Sequence, residues 1–403
     1  MNKLSFYFIL FTCLFILYFI VSFILKKKTN LTKGVWFILI LISATLRIYF
    51  FFEKPVLSDD IYRYYLDGKV ISHRINPYQY PPNSKKLEFL QDQLTRKVNH
   101  PHMNTVYPPV SQVLFFLGYQ LGGIKGIKFI FILFDLGIIL ILFLMLRARS
   151  QLPRIFIYAL NPLVIFEFYG SVHTESATLF FLMLAIYLIS LKKTWGSLIS
   201  TVGAILLKYF GLFIAPFYYK KLHWKKITLS LLLLFFAFFF FWNNKIFKSL
   251  LIYQRYFEFN GFLYTHLKFI FKSDIARLIC TLIFLSTLII YWLKTIKEKF
   301  WNENDLIQII FNVLSLYLFT TPTFHPWYFT LFIPLLIFHF KKSYLFFSGL
   351  IFLSYTVLFQ YSTQKIWKEN YFVLLLEYIP FIILLLYENK KLIRKRLRFI
   401  KNH

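Results

Sequence analysis

Two adjacent acids, Asp59 and Asp60, open the stretch "SDDIYRYYLDGKV" directly after a run of apolar residues, and this is where chemistry is first expected. Acids in the first turn of a helix stabilise it through the N-terminal dipole. The same position keeps a carboxylate ionised and fit to act as a base. Further along, polar groups interrupt apolar blocks where hydrocarbon should exclude them: Glu167, His173 and Glu175 in "LNPLVIFEFYGSVHTES", Lys208 in "LLKYFGLFIAPF", Arg255 in "YQRYFEF" and His266 beyond it, and His325 and Tyr328 in "TPTFHPWYF". Ionisable residues at membrane depth are costly and mark wet cavities. A cavity open to the outer leaflet that holds both acids and cations is therefore the expected site.

The frame around these residues is set by composition. Of 403 residues, 58% are hydrophobic and 22% aromatic, more apolar surface than one soluble core can hide. Apolar blocks of roughly 16 to 22 residues alternate with short basic or Pro-containing breaks, which matches the ~20-residue helix that crosses a ~30 Å hydrocarbon layer. The chain reads as an all-α polytopic membrane protein with about 11 to 13 transmembrane helices, forming one integral membrane domain over 1–403. The first apolar block reads as a retained span rather than a cleaved leader. Segment 110–123 reads as a short re-entrant or juxtamembrane helix, and 197–219 as two helices meeting at a polar hairpin around Lys208.

The 46 Lys and Arg against 17 acids fall in clusters at helix ends, among them Lys26 to Lys28, Lys192-Lys193, Lys220 to Lys226, Lys294 to Lys299 and a tail at 390–403. That placement is expected of cytoplasmic loops beside anionic lipid, not of a nucleic-acid surface. It puts the long segment 53–110, which holds seven of the fourteen prolines, on the outer face. There Ser58 is placed to cap a helix running to about Gly68, and Leu87, Leu90, Leu94 and Val98 repeat as in a helix lying on the membrane surface. Arg47 and Asp135 are placed to pair within the spans. Cys13 and Cys280 both lie in apolar runs, which excludes a disulfide framework and a thiolate metal site.

"SDDIYRYYLDGKV", then "NPYQYPP", "VYPPVSQVLFF", "NPLVIFEFYGSVHTES", "LLKYFGLFIAPF", "RYFEFNGFLY" and "FHPWYF", resembles in order the bacterial GT-C membrane glycosyltransferases that use a polyprenyl-phosphate sugar, especially their mannosyltransferase-like branch. The resemblance runs from about residue 45 to 340. It implies a many-helix fold whose first long outer loop carries the acidic motif, one acid acting as base on the acceptor hydroxyl; carried over to this sequence, Asp59 is the expected base, with Asp60 as alternate or orienting group. Displacing a phosphate from an anomeric carbon needs an anion near the acceptor and charge-assisted donors at the departing phosphate, so Arg63, His173, Glu175, Lys208, Arg255, His325 and Tyr328 are the expected donor-phosphate or sugar-binding residues. The paired acids could hold a divalent ion, but a phosphate leaving group with cations nearby does not require one, and no cofactor is expected. The resemblance also implies inverting transfer of a hexose, mannose in that branch, from a polyprenyl-phosphate carrier entering from the bilayer to a glycan or lipid acceptor at the outer face of the cytoplasmic membrane. The histidine block departs from the family's Gly-His-Asn-Asp, reading Val172-His173-Thr174-Glu175. A transporter of lipid-linked sugar and a polymerase or ligase using a diphosphate-linked oligosaccharide are the competing readings.

Overall fold

The computed structural model describes residues 2–219, 223–296 and 302–401. Parts of the basic clusters at 220–226 and 294–299, and the last two residues of the tail, lie outside the described residues. Among those described there are helices and no strands, only isolated bridges joining Phe259 and Asn260 to Thr323. Six helices are long and apolar enough to cross a membrane: Lys3–Lys27, Lys33–Phe52, Ile124–Arg147, Ser273–Ile296, Lys342–Gln364 and Tyr371–Lys390. A seventh span is formed if Leu152–Ala159 and Pro162–Ser171, bent by 55° at the Asn161-Pro162 break, are taken together. Asn161 caps the second piece by accepting from the Val164 amide, and the proline occupies its first turn, so the bend is written in the sequence. The protein is thus an all-α polytopic membrane protein. The remaining apolar helices, such as Glu175–Ser190, Thr194–Leu207 and Pro326–Phe338, are shorter than a full crossing.

The bent pair lies at the centre. Phe166 packs edge-on against Tyr7, Phe11 and Phe352, while Phe11 and Phe352 stack at 3.7 Å, so the first helix is bound into the bundle. Tyr18 adds a hydrogen bond to the Ile157 carbonyl, 2.8 Å. Arg47 and Asp135 pair as expected, 3.0 Å apart and buried, with Tyr158 and Tyr169 donating to the same carboxylate at 2.6 and 2.7 Å. That complete set of donors lets the pair exist at membrane depth.

The long loop is built on the helix Asp60–Ser72, which crosses Pro109–Gln120 with almost no gap. A β-carbon on Gly68 would stand 2.3 Å from the Phe115 carbonyl oxygen, and one on Gly126 2.1 Å from that of Gly118. The helix expected over 110–123 is therefore present and tightly held. So is the expected hairpin: Thr194–Leu207 ends at Lys208 and Gly211–Tyr219 follows.

Two local expectations are corrected. Ser58 does not make the helix cap: Asp59 occupies that position without capping through its side chain, and Ser58 only accepts from the Asp60 amide at 3.3 Å. The segment with Leu87, Leu90, Leu94 and Val98 is not one surface helix. It forms two short 3-10 turns, Lys85–Leu90 and Thr95–Lys97, and Leu87, Leu90 and Val98 pack inward on Leu66 and Val70. Asp92 breaks the helix by accepting from the amides of Leu94 and Thr95, both 2.8 Å, while Lys69 and Tyr65 bind its other oxygen. Burial pushes that carboxyl up, but these donors outweigh it and hold it at about 2.

Candidate active site

The site is assembled by three short apolar contacts, each one residue away from a polar group. Ile61, Val172 and Leu207 are buried in a single cluster with Tyr64, Phe115 and Phe131. Their neighbours in sequence are Asp60, His173 and Lys208, which are thereby aimed from three elements at one place. His173 is set by a wide π turn over Phe166–Ser171, closed where the His173 amide donates to the Glu167 carbonyl, 3.1 Å. Such turns recur at functional sites. Val172, a β-branched residue at φ 66°, is held in the left-handed region inside the core.

Asp60 is the acid that faces His173. Its Oδ2 lies 3.6 Å from His173 Nδ1 and accepts from the Tyr107 hydroxyl at 3.3 Å. Asp59 turns away and accepts from Asn99 Nδ2 at 2.5 Å. Burial raises both carboxyls above the ordinary aspartate range. Asp60 is pushed to about 6, by burial first and the Asp59 carboxylate second, with Lys208 opposing. Lys208 pairs with the fully buried Glu175 and lies over the Tyr328 ring, 4.4 Å from its centroid. The Asp60 and Lys208 side chains keep 22% and 24% exposure, whereas those of His173, Glu167 and Glu175 keep none. Solvent therefore reaches the acid and the lysine but not the groups behind them.

The rear wall is a column of parallel rings. His173 stacks on Trp327 at 4.0 Å, Trp327 on His325 at 4.1 Å and His325 on Phe259 at 4.7 Å. Burial and the nearby Lys208 hold both imidazoles neutral, His325 down at about 3 and His173 well below its usual value. Tyr328 shares a hydrogen bond with Tyr253, 3.1 Å, which ties the 248–256 helix to the same wall.

The structure thus brings together Asp60, His173, Glu175, Lys208, His325 and Tyr328. It does not bring Arg63 or Arg255 to them. Arg63 is buried against Asp67, 2.8 Å, and the Met103 carbonyl, 2.9 Å, where it braces the loop; Arg255 is exposed over Tyr256. Residues that the sequence did not flag also build the site: Tyr107, Asn99, Trp327, and Tyr355, whose hydroxyl donates to Glu167 Oε1 at 2.7 Å. Tyr107 directly precedes the Pro108-Pro109 pair that starts its helix, a positional signal; the others are ordinary polar and aromatic residues in their segments. Among the described residues no group of three or more His, Cys, Asp or Glu is arranged to hold a metal ion.

An acid and a lysine, both partly exposed, thus stand beside a stack of aromatic rings at one end of an all-α membrane bundle. The chain belongs to the MptA_B family, described as alpha-(1->6)-mannopyranosyltransferase, N-terminal domain, whose model matches residues 9–222. The match covers a little over half of the chain and includes Asp59, Asp60, Glu167, His173, Glu175 and Lys208; Arg255, His325 and Tyr328 lie beyond it. No curated protein and no solved structure matches the chain. It is a membrane glycosyltransferase of a mannosyltransferase family.

Proposed function

We propose that the protein transfers mannose, with inversion, from a polyprenyl-phosphate carrier to a glycan or lipid acceptor at the outer face of the cytoplasmic membrane, with Asp60 as the base. The observation that carries this reading is Asp60 and Lys208 sharing one cleft mouth, within electrostatic reach of each other. The acceptor hydroxyl gives its proton to Asp60 as its oxygen bonds to the anomeric carbon. The bond from that carbon to the phosphate oxygen breaks on the opposite side, and the phosphate leaves on its lipid. Lys208, already balanced by Glu175, stands where it can pair with that phosphate, and a phosphate has more oxygens to offer than Glu175 alone. The ring column supplies flat apolar faces beside polar edges, which suits the faces of a sugar.

The base assignment departs from the sequence-based expectation of Asp59, because Asn99 occupies Asp59 and Tyr107 and His173 orient Asp60. The outer-face placement is supported by the basic residues at the other end of the bundle, where Arg149 meets Glu303 and Lys26 lies over Phe340. The donor class is tested by incubating the purified protein in nanodiscs with radiolabelled polyprenyl-phosphate mannose, a nucleotide-linked mannose, or a diphosphate-linked oligosaccharide, together with membrane lipid and glycan acceptors. Labelled product from the first alone is expected. Product from the nucleotide sugar alone, or label moved across the bilayer without a new glycosidic bond, overturns the proposal.

A further inference from the structure

Behind Asp60 runs a buried chain of contacts that the transfer step itself does not use. Tyr355 donates to Glu167 Oε1 at 2.7 Å, Glu167 Oε2 lies 3.3 Å from His173 Nε2, and His173 Nδ1 lies 3.6 Å from Asp60 Oδ2. Both ring nitrogens and Glu167 Oε2 are shut off from solvent and make no closer hydrogen bond among the described residues, the Ser171 hydroxyl being the other polar group beside the Glu167 carboxyl. The ring cannot turn to find one, since Trp327 lies flat against it and the 166–171 turn fixes its backbone to Glu167.

We infer that Glu167 is held in its acid form and fixes the tautomer of His173, which in turn holds Asp60 in the orientation a base needs; this rests on Asp60 being that base. The reasoning is one of counting protons. A neutral imidazole has one N–H, and three contacts in series need one proton each. Were Glu167 ionised it would claim the ring proton at Nε2 and leave the Nδ1 lone pair facing the ionised Asp60. It would also be a second buried anion, and among the described residues His173 is its only charge-pairing partner. With Glu167 protonated every contact is satisfied: Tyr355 O–H to Oε1, Glu167 O–H to Nε2, and Nδ1–H to Asp60 Oδ2. Asp60 Oδ2 then takes donors from His173 and Tyr107. Its Oδ1, which has no partner among the described residues, is left for the acceptor hydroxyl. The separations at His173 are long for hydrogen bonds, as those of unliganded sites often are, and close by a few tenths of an ångström when substrate packs the cleft. Glu167, His173 and Tyr355 are positioning residues.

The test reads the tautomer directly. Protein labelled with 15N-histidine is observed by NMR in nanodiscs, the His173 signals being those lost in His173→Gln, and initial rates are measured on the same samples. A neutral His173 carrying its proton on Nδ1 is expected. Glu167→Gln should keep both that tautomer and most of the rate, because its amide donates to Nε2 and its carbonyl accepts from Tyr355. Glu167→Ala should lose the tautomer, and turnover should fall about ten- to a hundredfold at an unchanged donor KM. A proton on Nε2 in the unaltered protein, or a Glu167→Gln enzyme as impaired as Glu167→Ala, overturns the inference, and Glu167→Gln keeps it testable where the alanine variant does not fold. An active Asp60→Asn enzyme would instead remove the base assignment and leave the tautomer measurement to stand or fall alone.

Discussion

At the scale of single residues, two neighbouring aspartates have been given different work by what faces them. Asp59 is spent on Asn99, and Asp60 looks into the cleft with a carboxyl raised to about 6. A base must be ionised, so kcat/KM should rise with pH along a limb of unit slope and level off above about 6; at pH 5 roughly a tenth of the plateau should remain. Because the Asp59 carboxylate is the second cause of that raised value, Asp59→Asn should leave the plateau largely intact and move the limb to lower pH. A flat profile, or an Asp59→Asn enzyme that is inactive, would put the base elsewhere. The acidic pair, His173, Glu175 and Lys208 were legible in the sequence because a charge inside an apolar block has to be accounted for. Which acid turns toward His173 was not, since that depends on Asn99 and Tyr107, 40 and 47 residues away from their partners. Tyr355, 188 residues from Glu167, carries no local mark at all. Arg63 stands apart from the others for the complementary reason: an Arg one turn before an Asp, at a four-residue spacing, satisfies itself locally.

At the scale of elements, the site is only as well placed as the helix that carries Asp60, and glycines set that placement. Gly68 lets Asp60–Ser72 touch Pro109–Gln120 backbone to backbone, and Gly118 and Gly126 do the same between that helix and Ile124–Arg147. The atoms a side chain would strike at Gly68 are mainly backbone and cannot swing aside. Gly68→Val should therefore displace Asp60 by an ångström or more and lower turnover about a hundredfold, with a depressed melting temperature. Gly34→Val, at a helix position with nothing within 4 Å, should change neither. Equal effects of the two would mean that helix contact does not position the acid. Periodicity and proline placement made the bend at Asn161-Pro162, the 109–120 helix and the break at Lys208 readable. They failed at 85–98, where Asp92 accepts backbone amides and ends a helix that the leucine spacing alone would continue.

At the scale of the whole molecule, the spans deliver loops from distant parts of the chain to one end of the bundle. The end of the second span, the turn after the bent pair, the break at Lys208 and the 321–329 segment all meet there, while Lys26 and Arg149 stand at the other end. Hydropathy made the class of fold readable, and the number of full crossings less so, because several apolar helices are shorter than a membrane. The proposed donor lies in the bilayer by its lipid and must present its phosphate at the cleft mouth, beside Lys208 and across from Asp60. The decisive measurement is single-turnover transfer of mannose from polyprenyl-phosphate mannose, with saturating donor, by the unaltered protein, Asp60→Asn and Asp59→Asn in nanodiscs. Loss of about a hundred- to ten-thousandfold in the Asp60→Asn rate is expected, with donor still bound and Asp59→Asn close to the unaltered rate. An Asp60→Asn enzyme that transfers mannose at the unaltered rate would contradict the assignment of this cleft as the catalytic centre.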